Sequence, residues 1–558
     1  MSNVERLTGA QLVIRLLERQ GIRVVAGIPG SANLPLYDAL SSSLRIRHVL
    51  TRTEQGAGFI AQGLARASRQ PSVCFATSGP GATNLLTAIA DAKLDSIPVV
   101  AITGQVAYAS IGTDAFQEVD TYGLSLPITK HNYLVRSAAE LVHILPQAFQ
   151  IAASGRPGPV LIDIPRDVQL ETVEIEHWPE PGIATAPPAV DASLLREAAR
   201  LVAEAERPIL YLGGGVIQSG AAPVAREILE RCGLPTVTTL HALGVLPIDH
   251  PLWLGMLGMH GAPCANMAMD ESDLLIVVGA RFDDRATGKL AEFCPHARVI
   301  HIDIDPAELS KLRASHVAIS GEAHVVLQQL QPLLEPSARP PWLARVRQLK
   351  AEWPLRLPGA DDPHTHYGLV RAVGDCLDEH AIITTDVGQH QMWAAQAYPH
   401  RQPGRWLTSG GLGTMGFGLP TAIGAALAEP DNTVVCFTGD GSLLMNVQEL
   451  VTAVQEDVNL KIVLMNNSAL GLVHQQQTQF YGARCFASRF SHSPNFVALA
   501  EACGLPAVDL DTTHDPHQAL AEALARPGPC LIHCSIDAEQ RVSPIVPPGA
   551  ANRDMIGV

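Results

Sequence analysis

The sequence predicts an α/β protein made of three doubly wound parallel-sheet domains. Three observations carry that expectation. Short Val/Ile-rich runs alternate with alanine-rich helical segments along the whole chain. Proline-rich stretches cut this alternation into three blocks. The length, 558 residues, suits three or four domains, each burying its own core.

The first block, 1–175, begins with an amphipathic helix at Gln11–Gln20 and continues through apolar runs at Val73–Ala76 and Val99–Thr103. Within it, Arg52-Thr53-Glu54-Gln55-Gly56 follows the apolar His48-Val49-Leu50 and opens a small-residue helix. A helix macrodipole stabilises a carboxylate in its first turn, so Glu54 taken alone has a purely structural explanation. The stretch Trp178–Pro188 carries Pro179, Pro181, Pro187 and Pro188 and is expected as an extended linker. In the second block, 190–335, the runs Leu210–Val216, Leu274–Ala280 and Val299–Asp305 end in glycines or acids, as a nucleotide site at strand C-termini requires. Because no clean Gly-x-Gly-x-x-Gly occurs there, a plain structural domain stays open on those residues alone. A second proline-rich break, Pro332–Pro363, leads to the third block, 366–540, and then to a tail, 541–558. Blocks one and three share a rhythm. Gly79–Ala92 and Gly411–Ala428 each pair a glycine-rich turn with an alanine-rich helix ahead of a Val/Ile strand, which suggests two related domains flanking a third.

The third block carries the most informative motif. Gly439-Asp440-Gly441 closes the apolar run Thr433–Phe437, and Asn466-Asn467 closes Lys461–Met465. Two neighbouring parallel strands would place Asp440 and Asn467 side by side at the C-terminal edge of a sheet. Their oxygens are hard ligands suited to octahedral Mg²⁺, which takes its remaining ligands from phosphate and water. The flanking glycines allow close approach of a phosphate, and a helix expected from Ser442 to Met445 turns its first amides toward an anion. A lone Gly-Asp-Gly would equally suit a tight strand-to-helix turn; the paired Asn at the end of a second strand favours a diphosphate held through magnesium.

Composition excludes several classes. The net charge of −16 and the lack of a dense Lys/Arg block argue against nucleic acid. Hydrophobic residues at 47% against 17% charged suggest that much surface is covered by further protein, so an oligomer is expected. Met1–Arg6 carries no signal-peptide pattern and no apolar run reaches a membrane-spanning length, so a cytoplasmic protein without membrane contact is expected. The ten cysteines include no Cys-x-x-Cys pair, and Cys530 and Cys534 fall on one apolar strand, which fits reduced thiols.

Gly439-Asp440-Gly441 with Asn466-Asn467 resembles the signature of thiamine diphosphate enzymes, and Arg52-x-Glu54-Gln55-Gly56 is similar to their activating glutamate segment. Longer runs narrow the resemblance: Thr77–Asn84, Ile111–Val119, Ser154–Pro159, Arg281–Arg285, Thr385–Trp393, Gly411–Gly418 and Val546–Ala550. Together they resemble the catalytic large subunits of acetohydroxyacid synthase (acetolactate synthase), most of all the bacterial isozyme I type, over essentially the whole chain. The resemblance implies pyrimidine-binding, central FAD-binding and pyrophosphate-binding domains. It also implies decarboxylative condensation of pyruvate with a second 2-ketoacid, pyruvate or 2-ketobutyrate, in branched-chain amino acid synthesis.

The same resemblance implies roles for particular residues. Glu54 would hydrogen-bond the aminopyrimidine, Met415 would press beneath the cofactor, Gly413 would contact the ring and Val387 would line its pocket. Gly388, Gln389, His390, Gly441 and Ser442 would hold the diphosphate, and Asp440, Asn467 and the Ala469 carbonyl would bind Mg²⁺. Arg285 would bind the second ketoacid's carboxylate through a bidentate pair, although Arg281, Asp283, Asp284 and Arg285 also suit a solvated charge cluster. Phe116 and Gln117 would reach a pocket across a subunit interface. Arg156, Gly213, Gly214, His260, Gly261, Arg281, Asp303 and Asp305 would hold a structural FAD. A homodimer or homotetramer and a small regulatory subunit are the implied partners.

Three positions depart from the pattern. Thr53 stands where the family usually has His, Ser31 where a second glycine is usual, and Gln476 where many members carry a tryptophan that favours 2-ketobutyrate. The glutamine predicts weak preference between the two ketoacids. A relative using the same cofactor stays in view, a pyruvate oxidase with a redox flavin; Glu54 argues against glyoxylate carboligase, which lacks that glutamate. A degenerate scaffold has no need for Glu54, Asp440 and Asn467 together.

Overall fold

Each block folds around one six-stranded sheet in which every pairing is parallel. The computed structural model describes residues 4–558, so residues 1–3 of the expected front block lie outside the described residues. In the front sheet the spatial order is Arg47–Leu50, Val24–Gly27, Ser72–Ala76, Val99–Gln105, Val160–Pro165, His131–Leu134. In the back sheet it is Trp406–Leu407, Ile382–Thr385, Val434–Gly439, Leu460–Asn466, Cys530–Ser535, Ala507–Asp509. Numbered along each block, both sheets run 2-1-3-4-6-5, so the shared rhythm of the sequence corresponds to one topology used twice. The middle sheet differs: Trp253–Met256, Thr236–Thr238, Pro208–Leu212, Leu274–Val278, Arg298–Asp303, Val317–Ser320 run 3-2-1-4-5-6, the order of dinucleotide-binding domains. Helices cover both faces, so central strands such as Ser72–Ala76 and Val160–Pro165 are buried at every residue and read as continuous apolar runs.

Front and back domains are joined by two helices that cross at glycines. A methyl at Gly63, in the Glu54–Ser68 helix, would overlap the Thr421 carbonyl; one at Gly424, in the Gly418–Ala428 helix, would overlap the Ile60 carbonyl. The two backbones therefore touch, and Phe59 meets Phe417 edge-on at 5.3 Å alongside. Ile60, Ala61, Leu64, Ala422, Ile423 and Ala425 fuse the two domain cores into one apolar cluster.

Several elements differ from expectation in informative ways. The front helix runs Gly9–Arg19, started by a capping box between Thr8 and Gln11. The second alanine-rich helix begins only at Gly418, which leaves Gly411–Phe417 as a loop. The helix after the Asp440 motif is the short Asp440–Leu443, two residues earlier than expected. The 332–363 break carries a helix, Pro340–Glu352, because Pro is well tolerated in a first helical turn and Trp342, Val346 and Leu349 complete the middle core. The Trp178–Pro188 stretch lies on the front domain, where Gly182 and Gln20 exchange two hydrogen bonds of 2.8 Å.

Because the crossing tolerates no side chain, Gly63→Val should overpack it and lower stability by about 1–3 kcal/mol, with Gly63→Ala intermediate. Chemical denaturation would measure this, and an unchanged midpoint for both variants would show that the backbones do not meet.

Candidate active site

Strand pairing delivers the motif as expected. Val434–Gly439 pairs in parallel with Leu460–Asn466, with Gly439 opposite Met465, so Asp440 and Asn467 leave adjacent strand ends together. Asp440 is buried, and burial pushes its carboxyl up to about 6 despite the pull of the Gly441, Asn467 and Ala469 N–H groups. Its Oδ2 is buried without a hydrogen-bond partner. Asn467 is held by a bond from its Nδ2 to Gln389 Oε1 at 3.0 Å, while its Oδ1 accepts the Ala469 N–H at 3.2 Å. Left unpaired, a buried carboxylate oxygen costs free energy; beside Asn467 and Ala469 it completes an all-oxygen donor set that fits Mg²⁺.

The neighbouring strand end, after Ile382–Thr385, supplies the remaining candidates. Gly388 and Gly439 make room for the His390 ring, since a methyl on either would crowd it at 2.8–2.9 Å. Burial lowers His390 to about 3, so the imidazole is neutral, and its Nε2 is buried without a partner. Gln389 is fixed by Nε2 bonds to Gln475 Oε1 and the Gln540 carbonyl. Ser442 Oγ donates to the Val387 carbonyl at 2.8 Å, tying the two strand ends together. Val387 faces Gly413, with 3.9 Å between its Cγ1 and a methyl built there. The half-buried Met415 sits on a loop pinned on both sides: Ser409 Oγ accepts the Gly413 and Thr414 N–H groups, and Asp386 Oδ1 accepts the Gly416 N–H at 2.8 Å.

Glu54 is the first residue of the Glu54–Ser68 helix, which Thr53 caps by accepting the Gly56 N–H. It is 8% exposed, and its Oε2 accepts from Asn84 Nδ2 at 3.0 Å. Buried Glu449, from the back domain, accepts the N–H groups of Arg52 and Thr53, both at 3.0 Å, and so fixes the turn before Glu54. Among the described residues no hydrogen bond joins Glu54 to Asp440 or Asn467. No motif in the sequence singles out Asn84, Asp386 or Glu449 as site residues. Asn84 and Asp386 lay inside quoted runs, whereas nothing local marks Glu449.

The remaining candidates divide into two groups. A cavity of about 490 Å³ opens between the three domains, at the point where the middle sheet's strand order reverses. Arg156, Gly214, Arg281 and Asp303 line it, together with Gly279 at the end of the adjoining strand. Gly213 lies directly behind, where a methyl would overlap the Gly279 carbonyl. Arg156 Nη1 pairs with Asp305 at 3.2 Å and Glu308 at 2.8 Å, and burial lifts Asp303 to about 6. Volume, glycine-lined strand ends and paired cation and acid fit a dinucleotide with a diphosphate and a ribose. His260 and Gly261 lie elsewhere: His260 Nδ1 is 3.0 Å from the Pro544 carbonyl, against the tail. Arg285, Phe116 and Gln117 are not brought to the Asp440 site within the chain. The Arg285 side chain is largely exposed and 3.6 Å from Met259 Sδ, and Phe116 is 86% exposed beside a left-handed Gln117.

Three family models match the three sheets in turn: the N-terminal TPP binding domain of thiamine pyrophosphate enzymes over 7–124, their central domain over 195–330, and their C-terminal TPP binding domain over 386–534. The fold is that of a thiamine pyrophosphate enzyme. Among curated relatives, the acetolactate synthase isozyme 1 large subunit of Escherichia coli K12 is 59% identical over 556 residues, covering 100% of this chain and 99% of its own length. The isozyme 2 large subunit of that organism is 49% identical over 99% of both chains, and the chloroplastic acetolactate synthase 2 of Nicotiana tabacum is 44% identical over 98% of this chain and 85% of its own. The chain therefore belongs to the acetolactate synthase large-subunit family.

If Asp440 and Asn467 hold the metal, Asp440→Asn should weaken Mg²⁺-dependent binding of thiamine diphosphate by more than the roughly 10–100-fold lost on removing an outer-shell partner. Calorimetric titration with and without Mg²⁺ measures the effect, and metal dependence equal to wild type would remove Asp440 as a ligand.

Proposed function

We propose that this chain catalyses the decarboxylative condensation of pyruvate with a second 2-ketoacid, giving acetolactate or acetohydroxybutyrate for branched-chain amino acid synthesis. The observation that carries this is the full-length 59% identity with the Glu54, Asp440 and Asn467 motifs all intact. Asp440, Asn467 and the Ala469 carbonyl would hold Mg²⁺, and Gly388, Gln389, His390, Gly441 and Ser442 the diphosphate. When bound, thiamine diphosphate supplies the electron sink for the loss of CO₂ from pyruvate. Glu54 holds a proton at the pyrimidine N1′, in a setting from which neighbouring helices exclude water. Gly413, Met415 and Val387 set the ring's orientation, and neutral His390 donates to the diphosphate without adding charge. Arg285 presents its guanidinium to the incoming carboxylate, and exposed Gln476 leaves room for either ketoacid.

The cavity would hold FAD in a structural role, with Arg156 and Arg281 toward its diphosphate and Asp303 toward a ribose hydroxyl. The exposed apolar side chains of Phe116, Leu412, Met445, Val473 and Phe486 support burial against a second copy, as a homodimer or homotetramer in which Glu54 and the metal site come from different chains. The relatives' designation as large subunits supports a small regulatory partner. Ten unpaired cysteines, and the lack among the described residues of any helix long and apolar enough to cross a membrane, support a cytoplasmic setting.

Product analysis with pyruvate, omitting Mg²⁺, thiamine diphosphate and FAD in turn, tests this function directly. Acetolactate should form only with the thiamine cofactor and metal present, whereas acetate with reduced flavin would identify an oxidase. Glu54→Gln should cut turnover by about 10²–10⁴-fold while retaining cofactor affinity; wild-type turnover would remove Glu54 from the mechanism. Arg281→Gln should weaken FAD binding by about tenfold or more, read from flavin fluorescence.

A further inference from the structure

One buried polar junction ties all three domains together, and the reaction outlined above makes no use of it. Asp91 and Asp95 lie on the Pro80–Asp95 helix of the front domain, both buried. Arg66 Nη2 reaches Asp95 Oδ2 at 2.7 Å and lies 3.7 Å from Asp91 Oδ1. From the middle domain, His241 places Nε2 3.1 Å from Asp95 Oδ1. From the back domain, the Gly411 and Gly410 N–H groups donate to Asp95 at 2.7 and 3.2 Å. Thr414 Oγ1 donates to Asp91 Oδ2 at 2.7 Å, and Ser409 Oγ donates to the same oxygen. Front-domain carboxylates thus anchor the 409–414 run, which leads directly into Met415.

The junction has a second face. Arg66, Asp95 and His241 also wall the inter-domain cavity. The His241 side chain is 26% exposed, whereas the side chains of Asp95 and Asp91 are wholly enclosed. Gly410 carries no side chain because a Cβ there would strike the His241 ring. Any displacement of that ring is therefore passed to Gly410–Gly411, either by direct contact or through Asp95. His241 and Arg66 hold Asp95 well below the usual carboxylate range against the opposing effect of burial, while burial and the adjacent Asp95 push Asp91 up. Asp95 thus takes Arg66, the His241 ring nitrogen and the N–H groups, and Asp91 takes the hydroxyls.

We propose that His241 and Asp95 are positioning residues that couple the two cofactor sites: a flavin dinucleotide filling the cavity immobilises His241, and through Asp95 and Gly410–Gly411 fixes the loop that receives the aminopyrimidine ring. This rests on the FAD assignment above and gives a structural flavin a physical task. A ligand that pre-orders a shared element lowers the ordering cost paid by the next, and the coupling is reciprocal.

The experiment titrates thiamine diphosphate with Mg²⁺ into flavin-free and flavin-saturated full-length protein and takes the ratio of dissociation constants. FAD affinity is measured separately by fluorescence quenching. In wild type the ratio should fall in the roughly 5–150-fold range of allosteric couplings. His241→Ala and Asp95→Asn should bring it close to one while FAD still binds, and His241→Gln, which keeps a side-chain donor, should restore part of it. A wild-type ratio of one, or a ratio unchanged in His241→Ala, overturns the proposal. Loss of flavin binding in both His241 variants also overturns it, because His241 would then be a flavin anchor. Failure of wild type to bind FAD would instead overturn the flavin assignment, and the coupling with it.

Discussion

The contact of two helix backbones at Gly63 and Gly424 sets the geometry on which the rest depends. Each helix begins where a proposed cofactor contact ends: Glu54 is the first residue of one, and the Met415 loop runs into the other at Gly418. Locking the helices at their crossing fixes the two loops relative to each other, because a helix transmits position along its axis with little give. Glu449 strengthens the lock at the near end by taking the two N–H groups ahead of Glu54. The apolar cluster along the crossing supplies the burial that holds two separately folded sheets as one body.

Buried carboxylates divide the site into scaffold and ligand-binding parts. Asp386 is enclosed and raised to about 6 by burial, yet it accepts the Val387 and Gly416 N–H groups and so organises two loops. Asp440 is raised to a similar degree, but one of its oxygens has no donor. Folding tolerates the first because its hydrogen bonds are made. The second carries a cost that a cation or a proton would relieve, and the Mg²⁺ proposed above would come with the diphosphate it accompanies. Between Asp386 and Asp440 the difference lies in the count of donors around each carboxylate, a property of tertiary packing.

That contrast also explains what was legible in the sequence. Strand ends, glycine turns and the Asp440–Asn467 pairing are local signals, and the repeated strand order follows from a rhythm visible along the chain. Glu449 and Asp95 were illegible because their partners in other domains lie 146 to 397 residues away, and no periodicity encodes such a meeting. The Pro340–Glu352 helix was obscured by its own prolines: they mark a break in most contexts, but at a first helical turn they start one. Arg281 and Arg285, four residues apart, face different surroundings, one lining the cavity and the other solvent. Spacing alone does not predict that divergence.

The repeated topology bears on why a single chain looks incomplete. Front and back domains share one strand order, yet Glu54 lies in the front one and the Asp440–Asn467 pair in the back one. Within the chain they are clamped through their helices, which leaves Glu54 without a bond to the metal side. In the homodimer proposed above, a second copy related by a twofold axis would offer each front domain a back domain, and would bury the exposed Phe116, Leu412 and Phe486. Such an interface is self-complementary, so whatever one protomer lends it also receives. In that proposed dimer the intramolecular clamp would make the intermolecular site reproducible: it holds each half-site rigid, so that pairing two chains would complete both sites at once.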